Sequence, residues 1–307
     1  GMLQAGLYRR FGKPTYALAI HDSAEMASGQ IGYTPGFALA NVDSVDLTLY
    51  GKGGHGAYPH RTIDPVVMAS RLVLSLQTLV SRERDPLEPA VLTVGSIHGG
   101  TKHNVIPDEV ALQITVRSYS DEVRKRLLDG IRRLAAAEAQ AAGAPRPPRI
   151  EVSEGTPATY NDPALSERVA AALQRALGKE RVVKMPPVMG GEDFSEYGRA
   201  GVPAFMFWVG AVRPDRAEAA RKSGAPLPSL HSSRFAPDYV PALQQATWVS
   251  PLDRMPHGKR PLTSRLTDTD PGPRVGFRPP DRKPRTRAAR QARAPPRSCR
   301  RAAPAAR

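Results

Sequence analysis

The residues best suited to catalysis or ligand binding in this sequence are histidines next to apolar runs or glycine turns. His55 lies in the segment GKGGHGAYPH, residues 51–60, whose four glycines let a ligand approach the backbone closely. A histidine in such a turn can donate a hydrogen bond to an oxygen on which negative charge develops, and it can equally be a solvent-exposed loop residue. The local sequence leaves both interpretations open.

His21 follows an apolar run at residues 16–20, which predicts a strand buried on both faces of an α/β sheet. The run would deliver His21 to the carboxyl end of that strand, where ligands bind in open α/β sheets. His21 is therefore interpreted either as a functional residue or as a capping or solvated one. Further polar residues at predicted strand ends and in loops are Asn104, Arg117, Glu192, Asp193 and His231.

The sequence pattern of residues 44–154, which include His55, predicts a separate compact domain. Its apolar periodicity and its helix-capping residues give the order strand, helix, strand, strand, helix, strand, which is the split βαβ sandwich of ferredoxin-like domains. The predicted elements are 44–50, 65–82, 90–97, 110–117, 120–142 and 149–153. Because α/β patterns precede and follow this segment, we predict that it is inserted into another domain.

The flanking segments, residues 1–43 and 155–243, predict that other domain in two parts. The second part has a predicted helix at 165–177, a glycine turn that enters a helix at 189–194 and a buried strand at 204–209. Residues 211–229 are predicted as a loop because of their prolines and glycine. The pattern fades near Ala242, so the helix that would normally close such a domain is predicted to be missing.

The positive charge of the chain is concentrated at its carboxyl end. Residues 251–307 hold 16 of the 44 Lys and Arg but only 4 of the 29 Asp and Glu, so most of the formal net charge of +15 lies there. The basic total is therefore no sign of a nucleic-acid-binding fold, and such binding is not expected. Residues 244–307 are predicted to be a disordered basic tail. A basic binding arm, a linker and out-of-frame translation are the alternative origins of this tail, and the last is favoured.

The composition excludes several kinds of site. Cys299 is the only cysteine, so an intrachain disulfide and a cysteine-based metal site are not expected. No apolar run approaches the roughly 18 residues of a membrane span. The sequence also lacks a nucleotide-binding glycine fingerprint and a serine nucleophile motif. We therefore predict no membrane contact and a cytoplasmic location.

Six segments, in this order, resemble the metal-dependent amidohydrolases and exopeptidases typified by hippurate hydrolase, aminoacylase, carboxypeptidase G and the plant hydrolases of auxin–amino-acid conjugates. They are AIHDS around His21, TLYGKGGHGAYPH around His55, GGTKHNVIP around Asn104, TVRSYS around Arg117, GGEDFS around Glu192 and LHSSRF around His231. The similarity extends over residues 1–241. It implies a partial zinc-exopeptidase-like α/β catalytic domain whose inserted ferredoxin-like domain is a lid and dimerisation domain.

The resemblance implies that His21 and His231 are metal ligands. Imidazole nitrogens are suitable ligands for zinc and manganese. Members of the family hold two such ions, and this chain would supply only part of the site that binds them. Asp22 and Asp238 would either orient these histidines or be solvated caps. The family also carries a metal segment and a glutamate base upstream of the matching region, whereas the first acidic residue here is Asp22. We therefore expect a downstream part of a longer enzyme, with little or no turnover of its own.

The resemblance further implies that residues of the lid reach the substrate. His55 would stabilise the oxyanion of the tetrahedral intermediate, and Asn104 would bind the same region. Arg117 would pair with the carboxylate of the amino-acid product, although it could also be a surface ion-pair residue. Glu192 is a further candidate for substrate binding.

The expected function is hydrolysis of the amide bond of N-acyl amino acids or small peptides by metal-activated water. The lid would form a homodimer, partly reaching across the subunit interface. The alternative is an inactive fragment that acts only as a dimerisation or interaction module.

Overall fold

A computed structural model describes residues 1–249 of the 307-residue chain. Within these residues the helices are α1 Leu7–Phe11, α2 Pro65–Ser81, α3 Asp121–Ala141, α4 Pro163–Leu177, α5 Ser195–Arg199, α6 Pro214–Ser223 and α7 Tyr239–Val249. The strands are β1 Ala17–Ala27, β2 Ile31–Tyr33, β3 Gly36–Leu39, β4 Asn41–Tyr50, β5 Gly54–His55, β6 Ala90–His98, β7 Val105–Ile106, β8 Glu109–Ser118, β9 Arg149–Thr156, β10 Thr159–Asn161, β11 Val182–Lys184 and β12 Ala204–Val212. None of these helices combines the length and the apolar character that a membrane span requires.

The first sheet has the strand order β1-β12-β2-β11 and forms the centre of the α/β domain. β1 runs parallel to β12, whereas β2 is antiparallel to β12 and parallel to β11. All residues of β12 are buried, because the sheet is covered on both faces. Phe205 and Phe207 pack with α4 on one face, and Met206 and Trp208 pack near Phe194 on the other. The continuous apolar run of β12 is the sequence signal for this double burial.

The second sheet belongs to the inserted domain, which runs from β4 to β9. Its strand order is β6-β8-β4-β9, all neighbours are antiparallel, and α2 and α3 pack with it in one apolar core. Asp64 begins α2 by accepting hydrogen bonds from Val66 N and Val67 N, and the Ser120 side chain caps α3 in the same way. The ferredoxin-like arrangement predicted from the pattern is therefore confirmed, as is the mixed α/β fold class.

The chain passes between the α/β domain and the inserted domain twice, before β4 and after β9. Hydrogen bonds of Asn41 connect these two chain crossings. Asn41 is fully buried. Its Nδ2 donates to Ser118 Oγ at 3.2 Å and to Ser120 O at 3.4 Å, and its Oδ1 accepts from Ala158 N at 2.8 Å. A single buried amide at the start of β4 thus satisfies polar groups at the end of β8, just before α3 and after β9.

A buried ion pair holds α3 on β4 within the inserted domain, close to this junction. Arg124 donates two hydrogen bonds of 2.7 and 2.6 Å to the carboxylate of Asp43, which is fully buried. These hydrogen bonds raise the pKa of the Arg124 guanidinium, and its partial burial opposes that effect. The bidentate geometry fixes the first turns of α3 against β4.

Strand β1 is longer than predicted, so His21 is not at a strand end. The prediction placed the end of the strand at Ile20, because polar residues follow. The strand continues to Ala27, which pairs with Val212 after an irregularity that begins at Ser23, and Met26 is buried. Pairing with the apolar β12 therefore overrides the polar sequence HDS, and His21 lies in the middle of β1.

Two predictions near the carboxyl end were also wrong. The predicted loop 211–229 contains α6, because Pro214 occupies its first turn and Gly224 ends it at φ 71°, which are favourable positions at helix boundaries. The domain also has its closing helix α7, whose Gln245 Oε1 accepts from Gly29 N at 3.0 Å. Residues 244–249 of the predicted disordered tail are thus helical, and residues 250–307 lie outside the described residues.

Candidate functional site

His21 faces the same side of the first sheet as Ala19, Met206 and Trp208. Its register partner across the parallel pair is Trp208, and that of Ala19 is Met206. Its Nδ1 lies 2.7 Å from the main-chain oxygen of Asp22 and 3.2 Å from Asp22 Oδ1. A carbonyl oxygen only accepts, so Nδ1 carries a hydrogen, and in a neutral ring Nε2 then keeps its lone pair. This tautomer leaves Nε2 able to bind a metal ion, with an oxygen holding the other ring nitrogen.

His55 has the opposite tautomer. The main-chain N–H of Ala57 donates to His55 Nδ1 at 3.0 Å, and because an amide nitrogen only donates, the hydrogen of a neutral ring is on Nε2. The ring is exposed and contacts Tyr58 with a centroid separation of 5.5 Å. His55 therefore presents a hydrogen-bond donor at the surface of the inserted domain, as stabilisation of an oxyanion requires.

Asn104 is held beside His55 by a short two-stranded ribbon. In this ribbon β5 pairs with β7, so that His55 opposes Val105, and Gly56 N donates to Asn104 O at 2.8 Å. A Cβ on Gly56 would lie 3.2 Å from the main-chain oxygen of Asn104, so glycine permits this close approach. The structure thus brings together two residues that are 49 positions apart in the sequence.

Arg117 lies next to the glycine turn that precedes Glu192. Its Nε donates to Thr115 Oγ1 at 3.0 Å. A Cβ on Gly191 would collide with Val42 and would lie 3.6 Å from Arg117 Nη1, so the turn packs directly on the junction between the two domains. Arg117 takes part in no ion pair among residues 1–249, which argues against the surface ion-pair interpretation.

Glu192 and Asp193 line a cavity of about 620 Å³ together with Ala19 and Ile20, which immediately precede His21. The main chain of Glu192 is anchored by Thr159 Oγ1, which donates to its carbonyl oxygen at 3.3 Å. Glu192 Oε1 accepts from Phe194 N at 3.4 Å. Glu192 is therefore placed beside the part of β1 that carries His21, and its turn contacts Arg117.

His231 lies in the exposed loop between α6 and α7, with a left-handed backbone at φ 65°. The expectation that Asp238 orients a histidine is not supported by its contacts, because its Oδ2 accepts from Ser28 Oγ at 2.5 Å. Its N–H donates to Ala211 O at 2.8 Å. Asp238 thus fastens the end of the His231 loop to the ends of β1 and β12.

The two predicted metal ligands, His21 and His231, fit a metal ion only in part. The tautomer of His21 fits a ligand, but residues 1–249 contain no group of three or more His, Cys, Asp or Glu that could hold an ion. Zinc in proteins takes about four ligands, and two ions need more. His21 and His231 therefore do not form a complete site with other described residues, and a two-metal centre is not built from this part of the chain.

Sequence reasoning missed the groups that position the site residues. Asn41 fixes the end of the strand that carries Arg117, and the Ala57 amide fixes the tautomer of His55. Gly191 lets the Glu192 turn approach β4. Only the glycine had a signal in the sequence, as part of the pair that precedes Glu192.

Comparison with known proteins identifies the inserted domain. Residues 37–142 match the family model of the peptidase dimerisation domain of the M20 type. Thermostable carboxypeptidase 2 of Saccharolobus solfataricus is 32% identical over 237 residues, which are 77% of this chain and 56% of that protein. N-acetyl-L-cysteine deacetylase of Bacillus subtilis is 38% identical over 180 residues, which are 59% of this chain and 42% of that protein.

Two solved structures share the fold. An aminohydrolase from methicillin-resistant Staphylococcus aureus aligns with a TM-score of 0.69 and 30% identity, over 82% of this chain and 61% of that one. The YXEP protein of Bacillus subtilis, a dinuclear metal-binding peptidase of the M20 family, aligns with a TM-score of 0.54 and 27% identity, over 68% and 51%. The chain spans about half the length of the curated relatives it matches. Residues 37–142 thus match a peptidase dimerisation domain of the M20 type, and the chain is similar to carboxypeptidases, deacetylases and a peptidase of the M20 family.

Proposed function

We propose that this chain provides the lid and part of the active site of a metal-dependent hydrolase that cleaves the amide bond of N-acyl amino acids or small peptides. The observation that carries the proposal is the hydrogen bond from Ala57 N to His55 Nδ1. It prepares Nε2–H as a donor before substrate arrives. The deacetylase and carboxypeptidase relatives, which act on amide bonds by their names, support the same reaction class.

In the proposed reaction the Nε2–H of His55 donates to the oxygen of the substrate carbonyl as that oxygen becomes negative. Such a donor is more effective when it is already oriented, because no reorganisation is needed during the reaction. Asn104, which shares the ribbon with His55, supplies a second polar group to the same region. The turn GKGGHGA provides the close backbone approach that the substrate needs.

The amino-acid part of the substrate is proposed to bind at the Arg117 guanidinium, beside the Glu192 turn. The guanidinium forms paired hydrogen bonds with a carboxylate, which suits the free carboxylate of an N-acyl amino acid. Glu192 lies at the cavity beside β1 and can accept from the amide N–H of the substrate. Selectivity for substrates that carry a free carboxylate follows from the fixed charge of Arg117.

His21 is proposed as one metal ligand and His231 as another, with zinc or manganese as the ions. Bound divalent ions polarise the amide carbonyl and lower the pKa of a bound water. Because the described residues do not complete such a centre, we derive no step of the reaction through it. The proposal for this chain rests on substrate binding and on stabilisation of the oxyanion.

His55 is proposed to act in the active site of a partner subunit within a homodimer. Its described contacts, with Ala57, Tyr58 and Val105, all lie in the inserted domain. The match to a peptidase dimerisation domain supports a dimer through this domain. A donor on an exposed ribbon is well placed to reach across such an interface.

The test is hydrolysis of N-acetyl-L-cysteine and N-benzoylglycine by the 307-residue chain with Zn²⁺ or Mn²⁺. When the 307-residue chain hydrolyses either substrate, introducing His55→Ala into it should lower kcat by about 10²–10³-fold, as expected for an oxyanion donor. His60→Ala, a neighbour in the same turn, should have no such effect. Equal losses in both variants would contradict the role of His55.

A second candidate function is a dimerisation or interaction module without turnover. It is favoured by the absence of a complete metal-binding cluster within residues 1–249. It predicts that the chain dimerises but hydrolyses neither substrate at any metal concentration. Metal-dependent turnover by the wild-type chain would exclude it.

A further inference from the structure

A second cleft, of about 350 Å³, lies between α5, β10 and the start of β12, and none of the site residues described above lines it. It is at the amino end of β12. Ala204, which lines it, precedes by four residues the β12 residue that pairs with His21, Trp208. Small and apolar residues such as Val202 and Ala204 form much of its wall. The cleft is large enough for an amino acid with a short side chain.

A buried hydroxyl without a partner lines this cleft. Ser195 is 3% exposed, and its Oγ forms no hydrogen bond with any described residue. Buried polar atoms are nearly always paired, because an unpaired one keeps the cost of its lost hydration. Ser195 Oγ is therefore the kind of group that a polar ligand would satisfy.

Two groups of opposite charge line the same cleft. Arg199 lies four residues after Ser195, on the same face of the short helix α5. One of its nitrogens donates to Asp121 Oδ2 at 2.5 Å, and a guanidinium has further N–H donors. Asp162 supplies the negative charge; one of its oxygens accepts from Leu165 N at 2.7 Å, and a carboxylate has a second oxygen.

We propose that this cleft binds a free α-amino acid with a small apolar side chain. The carboxylate of the amino acid would accept from Arg199 and Ser195 Oγ, and its ammonium group would donate to Asp162. The small apolar wall residues leave room for a methyl or isopropyl side chain but offer nothing to a charged one. The site is separate from the Arg117 region, and it stands whether or not the chain hydrolyses amides.

The proposal is tested by titrating the full chain with L-alanine, using calorimetry and the thermal midpoint of unfolding. Acetate and methylamine, which each carry one of the two charged groups, should bind at least about tenfold more weakly. Ser195→Ala and Arg199→Met should each weaken L-alanine binding by about tenfold. Gly198→Leu should block it, because a Cβ there lies 3.7 Å from Ala204 Cβ and points the larger side chain along the wall.

Two control variants distinguish binding in this cleft from binding at the Arg117 region or at exposed arginines in general. Arg213→Met removes an exposed arginine that pairs with Asp215, and it should leave the affinity for L-alanine unchanged. Arg117→Met removes the charge of the proposed product site, and the L-alanine binding that Arg199→Met weakens should persist in this variant. Ser195→Ala removes an unpaired group, so a folded variant is expected, and circular dichroism checks this.

Two results would overturn the proposal. The first is the absence of saturable L-alanine binding by the wild-type chain. The second is binding that is lost in Arg117→Met and kept in Arg199→Met, because the amino acid would then occupy the Arg117 region.

Discussion

At the scale of single residues, the backbone sets the chemistry of the two histidines in opposite ways. A main-chain oxygen accepts from Nδ1 of His21, whereas a main-chain N–H donates to Nδ1 of His55. The first ring can coordinate an ion through Nε2, and the second can donate from Nε2. The neighbouring peptide groups therefore give the same residue type two different hydrogen-bonding states.

Ser195 and Ser166 are buried serines that differ in whether their hydroxyl is paired. We expect Ser195→Ala to raise the thermal midpoint by about 2–4 °C, because it removes an unsatisfied buried group worth about 1 kcal/mol. Ser166 Oγ donates to Asp162 O at 2.7 Å, so Ser166→Ala should lower the midpoint by a similar amount. Calorimetry measures the thermal midpoint of both variants. A lower midpoint in both would mean that the Ser195 hydroxyl has a hydrogen-bond partner.

At the scale of elements, α3 depends on its buried ion pair with β4. Arg124→Met leaves the carboxylate of Asp43 buried without a partner, and we expect a loss of about 3–5 kcal/mol in the free energy of unfolding. Arg132→Met removes an exposed arginine from the same helix and should change that free energy by no more than about 0.5 kcal/mol. Urea unfolding measures both. Equal losses of unfolding free energy in the two variants would show that the buried ion pair stabilises the fold no more than an exposed one.

The glycine turn before α5 gives a matched pair of substitutions at adjacent positions. A Cβ on Gly191 would collide with the side chain of Val42, whereas one on Gly190 would lie 3.4 Å from Leu39 Cδ2. We expect Gly191→Ala to destabilise the fold by about 1–3 kcal/mol through overpacking, and Gly190→Ala to cost clearly less. Thermal unfolding compares the two. A larger cost at Gly190 would mean that the turn does not pack on β4 as described.

The sequence predicted the inserted domain well because its elements are specified locally. Periods of two and 3.6 residues, together with the capping residues Asp64 and Ser120, mark each strand and helix. The errors occurred where local signals compete with distant partners. β1 continues past polar residues because β12 pairs with it, and α6 begins at a proline that also suits a loop.

The candidate site was predictable in residue type but not in geometry. Glycine turns and strand ends indicated His21, His55 and Glu192, since these positions expose side chains to ligands. Which nitrogen of each ring carries the hydrogen depends on turn geometry that no sequence pattern states. Asp238 was expected either to orient a histidine or to be a solvated cap, and its carboxylate instead accepts from Ser28, 210 positions away in the chain. Contacts over that distance emerge only when the sheet is assembled.

At the scale of the whole molecule, several neighbouring contacts join the inserted domain to the α/β domain. Asn41 joins the two chain crossings, and Arg199 of α5 pairs with Asp121 of α3 across the domains. The Glu192 turn packs on Val42 beside Arg117. Movement of the inserted domain would therefore alter the relative positions of Arg117 and Glu192.

The dimerisation domain predicts the assembly state of the chain. We expect light scattering to give twice the 33.2 kDa of one chain, with dissociation on dilution if the interface is small. A monomer at all concentrations up to the solubility limit would contradict the dimer, and with it the proposal that His55 acts in a partner subunit.

The proposal that His21 and His231 act together on a metal ion at the α/β domain is the claim that links this chain to metal-dependent hydrolysis. Calorimetric titration of the chain with Zn²⁺ tests it most directly, with His98→Ala as the control, since His98 is an exposed histidine at the end of β6. We predict that His21→Ala and His231→Ala each weaken Zn²⁺ binding by at least about tenfold, while the control leaves it unchanged. Binding that is equally strong in the wild type and in both variants would contradict the claim.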